Sequence, residues 1–452
     1  MQGMQGMQGV VHRAAVIEVL SAALQAADPY RAICDTLASG QVAALLGSAA
    51  RVYVVGAGKA GVPMARAVED ALNGRIAAGL VVVKEGYAGD AGAGTGSEAS
   101  LGRINIVEAG HPVPDRRGVE ATRRLLAIVA GAGRGDLVLC LISGGGSALL
   151  ALPVEGITLE DLQATTQLLL RAGATIGELN AVRKHLSQVA GGQLARRAAP
   201  ARVLALILSD VVGSPLDVIA SGPTAPDPTT YADALAVLAR YDLTQKVPPA
   251  VLKWLQAGAS GHVADTPKPG DPVFANVTNM VIASNVTAVE AAAARARDMG
   301  FDTLIASTYL EGEAREAGRV LAAVAKEVAA YARPVNRHGC VLFGGETTVT
   351  VRGSGIGGRN SELALGAALA LDGWGPDLVV ASLATDGGDG TSPVAGAVAD
   401  GTTISRARAL GLDAHAALAR NDSYTFWAQL GDAIITGPTG TNVNDVMAVF
   451  VF

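Results

Sequence analysis

Hydrophobic positions along this 452-residue chain follow two rhythms, and their alternation sets the expected fold class. Over residues 13–47, Val16, Val19, Leu20 and Leu24, then Leu37, Val42 and Leu45, recur at helical spacing and predict one apolar helical face. From residue 52 onward, short continuous apolar runs alternate with amphipathic stretches. Runs at 52–55, 79–83, 104–108, 137–142 and 203–208 predict strands; helices are expected over 61–72 and 119–130, with a largely helical stretch over 159–198. The run at 137–142, apolar at every position, suits a parallel strand buried on both faces. The rhythm breaks where Pro248, Pro249, Pro267, Pro269 and Pro272 cluster, and then restarts. Strands are expected at 280–283, 303–306, 339–343, 378–384, 432–435 and 445–451, with a hairpin partner at 347–352. Helices are expected at 286–299, 318–331 and up to Leu371. Strands alternating with helices predict an α/β protein: an N-terminal Rossmann-like parallel sheet over 10–240, a hinge or linker over 241–275, and a second α/β domain over 276–452. The Met-Gln-Gly repeat at 1–9 is low complexity and is expected to be a frayed tail or a start-site artefact.

Polar residues that could carry chemistry gather where these strands end. Lys59, Ser143, Asp210, Glu346 and Asp386 all fall at the carboxyl end of a predicted strand, the edge at which open α/β sheets bind ligands. Ser143, Gly144, Gly145, Gly146 and Ser147 follow the central run; with Ser147 as N-cap of a following helix, this turn is a site for phosphate or carboxylate. The alternative is a tight turn with no ligand. Gly56-Ala57-Gly58-Lys59-Ala60-Gly61 fits G-x-G-x-x-G, but no acid stands where a dinucleotide ribose would need one, and Tyr53 and Ala60 exclude a Walker A loop. What remains is Lys59 between glycines at a helix start, either an anion partner or a solvated lysine. Asp386 and Asp389 in a glycine loop, with Glu346, suit Mg2+ beside phosphate; turn-forming aspartates are the alternative. Arg359, flanked by glycines, is placed for a bidentate phosphate contact or for pairing with Glu362. His111 and His185 lie near candidate loops and read first as structural hydrogen-bonders.

Composition narrows the partners. The net charge of −6 offers no basic face for nucleic acid, and no apolar run is long enough to span a bilayer. Three scattered cysteines, Cys34, Cys140 and Cys340, read as reduced thiols in a cytoplasmic protein. Cations, glycine loops and carboxylates on one edge suit phosphoryl transfer to a small molecule.

Several blocks together resemble one known family. They are Gly56–Ala60, Gly110-His111-Pro112-Val113-Pro114-Asp115, residues 142–147, the stretch from Leu179 to Ser187 that includes Asn180 and Arg183, residues 207–213, Ser221-Gly222-Pro223-Thr224, Gly344-Gly345-Glu346-Thr347, residues 357–362 and residues 384–390. Their order and content resemble the class II glycerate 2-kinases with a carboxy-terminal MOFRL domain. The resemblance implies a C-terminal domain of MOFRL type with a mixed sheet, and phosphorylation of the 2-hydroxyl of D-glycerate by ATP with Mg2+ in an interdomain cleft. It also implies that Lys59, Asp210 and Arg359 are catalytic, and that Glu346 and Asp386 are active-site acids that hold metal. Gly56, Gly58, His111, Ser143, Gly144, Gly145, Gly146, Ser147, Asn180 and Arg183 would bind substrate or phosphate, and Glu346, Asn360 and Asp389 the nucleotide. Homo-oligomerisation is left open. Two other readings use the same loops: an NAD(P)H-dependent hydroxypyruvate reductase, a label this family has also carried, and a non-catalytic sensor of small phosphorylated acids.

Overall fold

The apolar runs become strands, and the strands form two sheets. The computed structural model describes residues 2–89 and 98–452, with only the backbone of residues 2–9. The first sheet contains β1 (Val52–Ala57), β2 (Ile76–Lys84), β3 (Glu98–Leu101), β4 (Ile104–Ala109), β5 (Leu137–Ile142), β6 (Arg202–Leu208) and β7 (Val277–Ala283), in the order β3-β4-β2-β1-β5-β6-β7. β1 pairs in parallel with β2 and β5, as do β2 with β4 and β5 with β6, while β3 is an antiparallel edge strand. β1 and β5 are buried at every position, because helices cover both faces of a parallel sheet. Each large aliphatic side chain buried there contributes roughly 1.5–3 kcal/mol.

The chain leaves β1 toward β2 on one side and later enters β5 on the other. This reversal is a topological switch point, and the loops that follow β1 and β5 flank the crevice it opens.

The second sheet contains β8 (Asp302–Leu310), β9 (Gly339–Gly345), β10 (Gly375–Ala384), β11 (Gly396–Gly401), β12 (Ala433–Ile434) and β13 (Asp445–Val451), in the order β12-β11-β10-β13-β9-β8. It is mixed: β8 and β9 are parallel, whereas β13 runs antiparallel to both of its neighbours, β9 and β10. The register sets Asp445, the first residue of β13, opposite Gly345 at the end of β9 and Ala384 at the end of β10.

The two compact units are drawn differently from the expected partition. One is Pro29–Ile282; the other joins the chain up to Asp28 with Ala283–Phe452. The first helix, Gln2–Ala26, belongs to the latter: Arg13 pairs with Asp432 at 2.7 Å and the His12 ring stacks on Phe452. Residues 2–9, expected as a tail, are part of that helix, since Met and Gln are helix formers that offset the interspersed glycines; Met1 lies outside the described residues. The strand expected to open the second domain, 280–283, is the end of β7 in the first sheet. The expected linker over 241–275 holds a helix, Pro249–Ala259, in which a proline at the first turn starts the helix and Val251 and Leu255 are buried. No hairpin strand forms at 347–352; Thr348 instead makes a single bridge to Glu313. Among the described residues no single helix is long and apolar enough to cross a membrane, and the three cysteines are free.

Candidate active site

In the unit Pro29–Ile282, the two switch-point loops interlock. Lys59 N–H donates to Gly144 O at 2.9 Å, Ala60 N–H to Ser143 Oγ at 3.1 Å and Ser143 N–H to Ala57 O at 3.0 Å. Gly58 has φ +141°, and a Cβ there would fall 2.1 Å from Ser143 Oγ, so only glycine fits. The Gly61 N–H also bonds internally, to Gly58 O. These N–H groups, expected to face a bound anion, are therefore used to fix the loop. A dinucleotide pyrophosphate would find none of these four free.

What the loop offers instead is side chains. A Cβ on Gly144 would lie 1.9 Å from Asp210 Oδ2, and one on Gly145 would lie 3.0 Å from the His111 ring and 3.7 Å from Lys59 Cγ. Lys59, His111 and Asp210 thus converge on two glycines, Gly144 and Gly145, that have no side chains to keep them away. Lys59 Nζ has no ion-pair or hydrogen-bond partner among the described residues. Burial, and then the Lys59 and Lys84 ammonium groups, push the His111 pKa down to about 4. At neutral pH His111 is an uncharged hydrogen-bonding group beside a free cation.

A stability consequence follows. The unfolded chain titrates this histidine near 6.5, so between about 6.5 and 4 the unfolded state holds the extra proton and stability falls as pH falls. The Tm of wild type should therefore drop more steeply across that window than the Tm of His111→Gln; parallel curves would refute the assignment.

Ser147 is not the helix N-cap. Gly145, in the left-handed region at φ +87°, takes that position, and the helix Gly146–Leu149 is a single turn. Ser147 Oγ pairs with Ser221 Oγ at 2.8 Å, and Ser221 donates to Asn180 Oδ1 at 3.2 Å. Arg183 donates to Ser147 O at 3.1 Å. Asn180 and Arg183 therefore lie behind the glycine loop and brace it. Ala220 and Ser221 hold left-handed backbone at φ 50° and 60°, and a Cβ on Gly146 would come within 2.7 Å of Ala220. Two strained non-glycine residues stacked on a glycine turn mark a segment whose geometry is enforced by its surroundings. His185 is buried and structural, with ring nitrogens 2.7 Å from Ala181 O and 2.9 Å from Asp265 Oδ1.

In the other unit, Arg359 opens the helix Arg359–Leu371 and is gripped from below. Its Nε and Nη2 meet the two Asp445 oxygens at 2.5 and 3.0 Å, and Nη1 meets Glu346 Oε1 at 2.9 Å. Asp445 is fully buried; desolvation pushes its carboxyl up to about 6, with Arg359 pulling the other way. Sequence reading passed over Asp445. It stands at the start of a predicted strand, and only the antiparallel register brings it between the ends of β9 and β10. Glu362, the alternative partner considered for Arg359, pairs with Arg315 at 2.6 Å and accepts from Asn421 at 2.7 Å.

Asp386 and Asp389 do not act as a pair. Asp389 is buried and accepts from the backbone N–H groups of Asn360 and Ser361, capping the helix Arg359–Leu371; Asn360 Nδ2 adds a third bond. Asp386 is partly exposed, and its Oδ1 accepts the Gly388 N–H at 3.1 Å. No group of three His, Cys, Asp or Glu side chains among the described residues converges as a protein-only metal cage.

Comparison with known proteins adds to this geometry. Residues 15–256 match the family model of a domain of unknown function, DUF4147, and residues 339–445 that of the MOFRL family. The glycerate 2-kinase of Pyrococcus horikoshii is 42% identical, with 96% of each chain covered. A protein of Agrobacterium vitis with the provisional name hydroxypyruvate reductase is 43% identical over 96% of this chain and 93% of its own. The crystal structure of glycerate kinase from Thermotoga maritima superposes with a TM-score of 0.87 at 42% identity, covering 98% of this chain and all of that one.

Proposed function

The chain belongs to the glycerate kinase family that carries a MOFRL domain, and on that premise we propose that it transfers the γ-phosphoryl group of ATP to the 2-hydroxyl of D-glycerate, giving 2-phosphoglycerate and ADP. The observation that carries this reading is the convergence of a free ammonium, a neutral imidazole and a carboxylate on the glycine loop at the switch point.

Phosphoryl transfer asks a protein mainly for positioning and charge neutralisation. The 2-hydroxyl oxygen attacks the γ-phosphorus, the bond to the bridging oxygen of ADP breaks, and the hydroxyl proton goes to a base. Asp210, held against Gly144, is that base, and His111 hydrogen-bonds the acid substrate. Lys59 neutralises charge on the group in transfer. Arg359, whose orientation Asp445 fixes, is the cation that its own unit offers to a phosphate. Gly56, Gly58 and Ser143 shape the loop; Ser147, Asn180 and Arg183 support it; Asn360 and Asp389 hold the start of the helix that bears Arg359.

Mg2+ is bound by preference through one or two carboxylates together with phosphates and water, so it needs no protein cage. The available carboxylate fits that mode: Asp386 is partly exposed and lightly engaged, while Glu346 is shared with Arg359. When bound, the ion would offset charge on the nucleotide phosphates. The reductase reading finds no support in the loop, whose N–H groups are paired internally.

The test is ADP release dependent on D-glycerate, followed by handing the product to enolase. Direct consumption by enolase is expected. A product that needs a mutase first would overturn the 2-hydroxyl assignment, and NADH oxidation with hydroxypyruvate in place of ADP release would overturn the kinase reading.

A further inference from the structure

One face of the helix Ile176–His185 grips two loops of the unit Pro29–Ile282 at once. Asn180 and Lys184, four residues apart, project from the same side of that helix. Asn180 Oδ1 accepts from Ser221 Oγ at 3.2 Å, and Lys184 Nζ donates to Asp217 Oδ2 at 3.2 Å. Both contacts land on the segment 211–222, which follows Asp210 after β6. Arg183, next to Lys184, reaches the glycine loop at Ser147 O.

Lys184 is buried, and its ammonium lies 3.3 Å from Asp227 Oδ1. Asp227 is buried completely and needs that cation, although Thr229 N–H, Thr229 Oγ1 and Thr266 Oγ1 also donate to it. One lysine and one aspartate already balance. Asp217, with its side chain 33% exposed, adds a second carboxylate that neutrality does not call for. It is also the one charged residue in 211–222. What it supplies there is a tether.

The segment has need of one. Gly213, Ser214, Ala220, Ser221 and Gly222 all hold positive φ, between 50° and 74°, and three of these five are not glycine. Such backbone persists only where its surroundings impose it. The segment also meets the proposed chemistry at both ends. Asp210 precedes it, against Gly144, and Ala220 and Ser221 close it against Gly146 and Ser147. A carboxylate that must take the proton of the 2-hydroxyl tolerates little displacement.

We propose that Lys184 and Asp217 are positioning residues for the reaction: their ion pair holds the segment 211–222 so that Asp210 stays in register with the glycine loop. The proposal rests on the kinase reading for the role of Asp210, whereas the tether does not.

The experiment compares Asp217→Ala with Asp217→Asn in the full chain, by steady-state kinetics and by amide hydrogen exchange. Lys184 is left in place, because removing it would strand Asp227 without a cation. Asp217→Ala should lower kcat roughly ten- to a hundredfold, the effect of a displacement of about 1 Å, while KM for D-glycerate holds. The Tm of this unit should fall by no more than about 4 °C, as for a partly exposed pair. The hydrogen-bonded amides of Val218, Ile219, Ser221 and Gly222 should exchange roughly tenfold faster. Asp217→Asn keeps an acceptor for the ammonium and should restore most of both losses.

An unchanged kcat in Asp217→Ala, a loss that appears only in KM, or equal losses in the two variants would overturn the proposal. So would unchanged exchange in Asp217→Ala, an outcome that leaves the kinase reading intact. In a chain that releases no ADP with D-glycerate the kinase reading falls by itself, and exchange still decides the tether: faster in Asp217→Ala and restored in Asp217→Asn supports it, and unchanged overturns it.

Discussion

Lys59→Ala is expected to fold as wild type and to lose a hundred- to a thousandfold in kcat, about 3–4 kcal/mol of transition-state stabilisation. The fold is insulated because the loop is held by its main chain. The Lys59 N–H bonds to Gly144 O, and alanine keeps that bond. The chemistry is exposed because the ammonium has no other partner among the described residues, so its charge is available to the transferring group. A fixed cation stabilises the transition state more than the ground state, so the loss falls on kcat rather than on binding alone. Lys59→Arg should restore only part, since a planar fork places its charge differently. Asp70→Ala, which removes an exposed contact to Tyr30, is the control and should change little. If Lys59→Ala keeps more than about a tenth of wild-type kcat, the lysine is a solvated loop residue.

The second large effect is on stability. Asp445→Ala removes both oxygens that hold Arg359 and leaves a half-buried guanidinium with Glu346 alone. Breaking a buried pair from one side costs roughly 3–5 kcal/mol. Because the chain has two compact units, thermal unfolding should show one transition moved down while the other stays. Replacing both partners with apolar residues, as in Asp445→Leu with Arg359→Met, should recover most of that stability and none of the activity. Recovery of activity in the double variant would remove Arg359 from the reaction.

How much of this was legible in the sequence depends on how local each cause is. β1, β5 and β6 were readable because burial on both faces writes an unbroken apolar run. The loops after β1 and β5 were readable because glycine there answers a close approach. β11, Gly396-Ala-Val-Ala-Asp-Gly401, was missed because four of its six positions are glycine or alanine, which write no strand pattern. The helix Tyr231–Arg240 was not among the expected elements, because the proline-rich approach masks the Thr230 capping box. Asp389 looked like a metal ligand because a helix cap and a ligand use the same residue in the same glycine-rich surroundings. Asp445 was invisible since its role comes from strand register alone.

The division of the chain into Pro29–Ile282 and the two segments around it has a consequence for biosynthesis. The helix Gln2–Ala26 leaves the ribosome before the middle segment, yet its partners, among them Phe452 and Asp432, are made only after that segment. The middle segment can collapse as soon as it is complete, at synthesis rates of about 5–20 residues per second. The opening helix must wait for the rest of translation with Val16, Val19, Leu20 and Ala23 uncovered. A nascent chain stalled before β13 therefore presents a finished middle and an orphaned apolar helix, the kind of surface that holdase chaperones bind and quality-control proteases read.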